Sequence, residues 1–316
     1  MSAFFAACGG VTTIFLVVLL GYLLARRGWA GPEIVRNLPR LITKIVLPPY
    51  LFRNITSTFE RDQLLSLLYG SLLPMCSLAI CFATAFFLAR AMGVRRGRQG
   101  IFRTGFAVSS AVTIGLPVTV ALFGEDALQY ALLYFFANAT FFWTLGNYSI
   151  AHDGEKADVR LFSLATLRHI CSPPLLGFLV GVVVVLLNIP VPLFLDKAIK
   201  YVGDMSIGLS LIYVGMMLHG VDVKAVNLER DVLMVFFGRF FFAPVCVLLL
   251  SYVFNIPPIM RSVFIIQSAL SVMVQVPVLA GYYKADAHYA TVITTFSTVV
   301  SLVALPIWMV IVSTLM

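Results

Sequence analysis

The chain has 316 residues, 60% of them hydrophobic and only 11% charged, with a mean hydropathy of +0.98. A soluble domain carries about 25% charged residues, so this composition excludes a water-clad globule and requires a bilayer. The net charge of +8 would suggest nucleic acid as partner for a soluble protein. Here the cations sit in short loops between apolar runs, where they orient a membrane chain, and no nucleic acid is expected.

A membrane-crossing helix needs about 20 mostly apolar residues. Ten such runs are predicted, at 4–25, 33–54, 64–91, 100–123, 126–150, 172–190, 194–218, 231–254, 259–283 and 286–314. No Lys or Arg precedes the first, and Arg26-Arg27 follow it. That is the wrong polarity for a cleaved signal peptide, so a retained helix with its N-terminus outside is expected. The second and seventh runs begin amphipathically, with Arg36, Arg40 and Lys44, then Lys197 and Lys200.

With the first loop cytoplasmic, that side holds Arg26, Arg27, Arg36, Arg40, Lys44, Arg90, Arg95, Arg96, Arg98, Arg103, Lys156, Arg160, Arg168, Lys224, Arg230 and Lys284. The other side holds Arg53, Arg61, Lys197, Lys200 and Arg261. Sixteen against five places both termini outside. The longest hydrophilic stretch, roughly His152 to Arg168, divides the runs five and five. The expected organisation is a five-helix repeat over 1–151, a cytoplasmic linker over 152–171 and a second repeat over 172–316. An odd number of spans per half inverts the second repeat, an arrangement typical of secondary transporters.

A repeated phrase supports this. "LPVTVALFGEDALQYA" (Leu116 to Ala131) and "VPVLAGYYKADAHYA" (Val276 to Ala290) share Pro-Val and, nine residues on, Asp-Ala, at an offset of 160. Pro117 and Pro277 each lie inside an apolar run, where proline removes a donor and crowds the carbonyl one turn back. In hydrocarbon the freed groups need other partners. Ser109, Ser110, Thr113 and Gly115 precede the first proline, and Gln267, Ser268, Ser271 and Gln275 the second. The alternative is a pair of ordinary kinks. Preferred here are broken helices 4 and 9 crossing near mid-membrane, their half-helix N-termini favouring an anion. Gly115 would let the backbone unwind or a substrate approach.

Among intramembrane charges, Arg239 is read either as snorkelling to the headgroups or as a carboxylate clamp or partner of an internal acid. Asp204 is read either as a proton carrier in low dielectric or as a solvated helix-start acid paired with Lys200. Asn138, Thr140, Thr144 and Asn147 decorate the fifth run, where helix–helix hydrogen bonds explain them, and Asn138 is also a substrate-site candidate. The five cysteines show neither metal nor disulfide spacing, and His152, His169, His219 and His288 fall near loops. There is no HExxH, no GxSxG and no pair of intramembrane aspartates, so no enzyme, catalytic residue, metal or cofactor is expected.

Four stretches carry a family resemblance: "KIVLPPYLF" (Lys44 to Phe52), "SAVTIGLPV" (Ser110 to Val118), "RFFFAP" (Arg239 to Pro244), and "VQVPVLAGYY" (Val274 to Tyr283) with the following "ATVITTFSTVVSLVALPIW" (Ala290 to Trp308). In order and spacing they resemble the auxin efflux carrier family, whose bacterial members include malate and malonate permeases. The resemblance implies an all-α polytopic protein of ten helices in two inverted repeats, similar to sodium/proton antiporter and bile-acid symporter folds. It implies scaffold and transport subdomains each built from both repeats. It also implies elevator-like carriage of small organic anions across a plasma (bacterial inner) membrane, with a homodimer expected from related carriers. Ser110 departs from the Asn of plant members. Its shorter arm with one donor disfavours direct contact with an indole carboxylate, and a small dicarboxylate held through water fits equally. Coupling to protons through Asp204, or none, is expected. The alternative is a sodium-coupled symporter of the bile-acid type.

Overall fold

The computed structural model describes residues 16–58, 69–154, 173–219 and 229–315. The start of the first predicted run, most of the predicted linker, and Cys8, Arg61, Lys156, Arg160, Arg168, His169, Cys171 and Lys224 lie outside the described residues.

In chain order the helices are α1 (Leu16–Arg26), α2 (Pro32–Leu41), α3 (Leu47–Thr58), α4 (Leu72–Ala91), α5 (Gln99–Ala107), α6 (Leu116–Phe123), α7 (Leu128–Phe141) and α8 (Asn147–Asp153). There follow α9 (Pro173–Leu186), α10 (Leu193–His219), α11 (Arg230–Phe237), α12 (Ala243–Phe254), α13 (Pro258–Ser268), α14 (Gln275–Tyr283) and α15 (Ala287–Leu315). The described secondary structure is helical apart from one isolated antiparallel bridge, Ser109 to Val272. Helix therefore falls over each predicted run. Among the described residues, three stretches are long and apolar enough to cross a membrane without a gap: Leu72–Ala91, Arg230–Phe254 and Ala287–Thr314.

Among the described residues there are four π-helical turns: Ile42–Val46, Phe142–Gly146 and Gly238–Phe242 each join consecutive helices, and Ala111–Gly115 leads into α6. Three are followed two residues later by a proline, at Pro48, Pro117 and Pro244. A proline ring clashes with the carbonyl four residues back and leaves it without a donor. The wider π turn moves that carbonyl aside, which is how a helix absorbs the residue without a sharp kink. At Pro244 the freed acceptor is the Phe240 carbonyl, and Trp308 Nε1 donates to it at 2.7 Å.

The helices group into two compact units. The first comprises 1–70, 112–133 and 171–220. In it α3 packs against α9 and α10. Small residues permit the approach: a methyl on Gly177 would overlap the Pro48 backbone. In lipid, helices associate through such close packing rather than through the hydrophobic effect.

The second unit comprises 71–111, 134–170 and 221–316. Its centre is α5, which touches α4, α8, α11, α14 and α15. Ile101, Phe102, Phe106, Phe142, Val235, Val272 and Ile293 are fully buried around it. Arg98, just before α5, is gripped from two other elements: Nε donates to Asp286 Oδ2 and Nη1 to Glu229 Oε2, each at 2.6 Å. Asp286 caps α15 through the Tyr289 amide at 2.9 Å. Burial opposes ionisation of Asp286, but that amide and Arg98 outweigh it and hold the carboxyl below its usual range.

The start of α5 is capped from a distance. Asp153, at the end of α8, accepts the Gly100 and Ile101 amides at 2.6 and 3.0 Å. Desolvation pushes its carboxyl up to about 6, against those amides and Arg103. A carboxyl raised on folding holds its proton longer in the native state, so its contribution to stability falls as pH rises from the usual carboxylate range to about 6. Purified wild type should therefore lose melting temperature relative to Asp153→Asn between pH 5 and pH 7. Parallel pH profiles for the two proteins would contradict the assignment.

Candidate functional site

Two helices of the second unit are severed, and their gaps run side by side. After α5 the chain is extended over 108–110; after α13 it is non-helical over 269–274. The Ser110 amide donates to the Ser271 carbonyl at 2.9 Å across the Ser109–Val272 bridge. Each gap strands helix-end carbonyls and amides that the hydrocarbon cannot satisfy.

The carbonyls go to one side chain. Arg239 is fully buried. Its Nη1 donates to the Ala107 carbonyl at 2.5 Å and more weakly to Phe106 at 3.4 Å. Nε donates to Leu270 at 3.2 Å, and Nη2 donates to the Ser268 carbonyl. One planar cation thus closes the C-terminal ends of both α5 and α13. Arg239 lies in the π-helical turn Gly238–Phe242. The adjacent Gly238 leaves room for Phe106, whose ring a methyl there would overlap.

The amides go to neutral side chains. Asn138 acts as a substitute peptide for Ser109: Oδ1 accepts the Ser109 amide at 3.0 Å and Nδ2 donates to its carbonyl at 2.9 Å. The Val272 amide donates to Ser297 Oγ at 2.9 Å. Ser271 Oγ is buried with no hydrogen-bond partner among the described residues.

Of the predicted site residues, the second unit brings together Ser109, Ser110, Ser268 and Ser271 at the paired gaps, with Asn138 and Arg239 bonded to them and Gln275 and Pro277 opening α14. Thr113, Gly115 and Pro117 belong to the first unit, where Thr113 and Pro117 are buried.

The structure corrects three expectations and decides a fourth. The prolines do not sit at the breaks. Pro117 lies two residues past the π-helical turn Ala111–Gly115 that accommodates it, and Pro277 lies in the first turn of α14, where a missing amide costs nothing. Gly115 has an ordinary helical backbone, φ −67° and ψ −43°, and is not an unwinding point. Arg239 neither reaches headgroups nor pairs with an internal acid: it is fully buried, and its guanidinium donates to four carbonyls of the chain itself. For Asp204 the structure shows the second of the two readings, an acid paired with Lys200. Its side chain is 53% exposed and accepts from Lys200 at 2.5 Å. It lines a cavity of about 420 Å³ within the first unit, with Tyr50, Arg53, Asn54, Glu125 and Lys200.

Three contributors were not anticipated: Ser297, Asp153 and the Arg98 cluster. Ser297 carries a readable signal, because Thr294, Ser297, Thr298 and Ser301 recur at helical spacing on an otherwise apolar helix and all are buried. Among the described residues no group of three or more His, Cys, Asp or Glu is placed to hold a metal.

Residues 7–309 match the profile of the family described as "Membrane transport protein". The chain is 25% identical over 303 residues to an uncharacterized transporter of Methanothermobacter thermautotrophicus, covering 95% of this chain and 97% of that one. It is 22% identical over 307 residues to an uncharacterized transporter of Methanocaldococcus jannaschii, covering 94% and 96% respectively.

Asn138→Ala would leave a buried amide and a buried carbonyl at Ser109 without partners, at about 1–3 kcal/mol each. Thr140→Val removes only a bond to its own helix, at Phe136. The Asn138→Ala protein should therefore melt well below Thr140→Val in detergent. Equal melting would refute the bridging role of Asn138.

Proposed function

We propose, since the chain belongs to the membrane transport protein family (the auxin efflux carrier family), that it is a secondary transporter of small organic anions, with malate- or malonate-type dicarboxylates as the substrate class. The single observation that carries the anion is Arg239. A buried guanidinium whose bonds are to carbonyls keeps a net positive charge at the paired gaps, where the α14 N-terminus adds a further partial positive charge. A carboxylate entering there meets this field, together with the free hydroxyl of Ser271.

The proposed architecture is ten spans in two inverted five-helix repeats with both termini outside, embedded in the plasma membrane. The local structure of the repeated phrase supports it. Each copy is a short helix, α6 or α14, closed by a residue of positive φ at equivalent positions, Gly124 at φ 82° and Lys284 at φ 58°. Each is followed at once by a new helical start at Asp126 or Asp286. The proposed mechanism is elevator-like alternation in a homodimer, with Ser109, Ser110, Ser268, Ser271, Gln275, Pro277 and Asn138 at the substrate site. Thr113, Gly115 and Pro117 follow directly along the chain. The candidate coupling residue is Asp204, paired with Lys200.

Counterflow in proteoliposomes loaded with labelled malate or malonate tests the reading. Dicarboxylates should exchange, and Ser271→Ala should slow exchange roughly tenfold, the worth of one hydrogen bond to a charged ligand. Its melting temperature should be unchanged, because the hydroxyl has no partner in the fold. A panel of mono- and dicarboxylates that all fail to exchange would overturn the proposal.

A further inference from the structure

Four backbone carbonyls from two separate gaps converge, and the point of convergence is filled by a cation that belongs to the chain. The Phe106 and Ala107 oxygens lie at the end of α5, and the Ser268 and Leu270 oxygens lie at and just past the end of α13. All four accept from Arg239. Helix C-termini carry partial negative charge, and in broken-helix transporters unwound carbonyls and half-helix C-termini are the ligands that take up a small monovalent cation. The same set of oxygens is met here by a fully buried guanidinium, which brings one unit of charge and five donors in a fixed plane.

We propose that Arg239 is a resident cation occupying an alkali-ion cage, so that the wild-type protein neither binds nor needs Na⁺ or K⁺ at its paired gaps. Removing the side chain vacates the cage. The four carbonyls, with the unpartnered Ser271 Oγ beside them in the chain, then form a neutral all-oxygen site for a monovalent cation. This decides against the sodium-coupled scheme. A symporter must release its ion once per cycle, whereas a tethered guanidinium stays with the carbonyls throughout. The consequence for carriage rests on the transporter reading above; the cage itself is a matter of binding.

The test measures the melting temperature of substrate-free wild type, Arg239→Lys and Arg239→Ala in NaCl, KCl and N-methylglucamine chloride at equal ionic strength. Wild type and Arg239→Lys should melt alike in all three salts. Arg239→Ala should melt lowest in N-methylglucamine and recover saturably with NaCl or KCl. The recovery should be on the order of 5 °C at a hundredfold excess over the dissociation constant. Saturable stabilisation of the wild type by Na⁺ or K⁺ would overturn the proposal. So would an Arg239→Ala protein that melts identically in every salt, or one that cannot be purified folded in any of them. In proteoliposomes, wild-type exchange should change less than twofold when N-methylglucamine replaces Na⁺, and a tenfold fall counts against the proposal. Absence of organic-anion exchange with the melting pattern intact would defeat the transport reading and leave the cage standing.

Discussion

A guanidinium buried between two severed helices is the constraint around which the second unit is arranged. Taking such a charge out of water costs several kcal/mol even after relaxation. Leaving four buried carbonyls without donors costs about 1–3 kcal/mol each. The two penalties offset each other at Arg239, which supplies donors to carbonyls of both gaps. Lysine would not serve equally, since a compact ammonium has three donors and no plane, whereas the carbonyls of Phe106, Ala107, Ser268 and Leu270 are spread around the guanidinium edge. The π-helical turn at Gly238–Phe242 places that side chain at the gaps, and the missing methyl at Gly238 lets Phe106 close over it.

The same economy of backbone groups explains the prolines. Pro48, Pro117 and Pro244 each follow a π-helical turn by two residues, so the carbonyl that each ring would strike has already been moved. Trp308 shows where one such carbonyl finds its donor. In a bilayer, proline is tolerated when its consequences are absorbed locally, and here the absorption is built into the preceding turn.

The helical runs were legible because hydropathy reports burial in lipid directly. Two severed helices were legible because the Pro-Val and Asp-Ala echo survives at an offset of 160. The place of the breaks was not. A proline marks where a helix can start, as at Pro277, or where a π-helical turn has made room for it, as at Pro117, as readily as where a helix fails. Arg239 stood out as an intramembrane charge, but its partners are carbonyls, which every residue possesses and no letter of the sequence distinguishes. Asp204 left two readings open, and Lys200 one turn earlier pointed to the pairing that the structure shows. Asp153 was invisible because a cap supplied from 53 residues away leaves no local spacing to read.

The bridge between Ser109 and Val272 has a mechanical corollary. With the two gaps joined by a backbone hydrogen bond, pinned by one arginine and flanked by Asn138 and Ser297, they form a single rigid crosspiece. A shear of one gap past the other would break charged and neutral bonds at once. Any rearrangement of the second unit that keeps these bonds must therefore move the two gaps together as an undivided block.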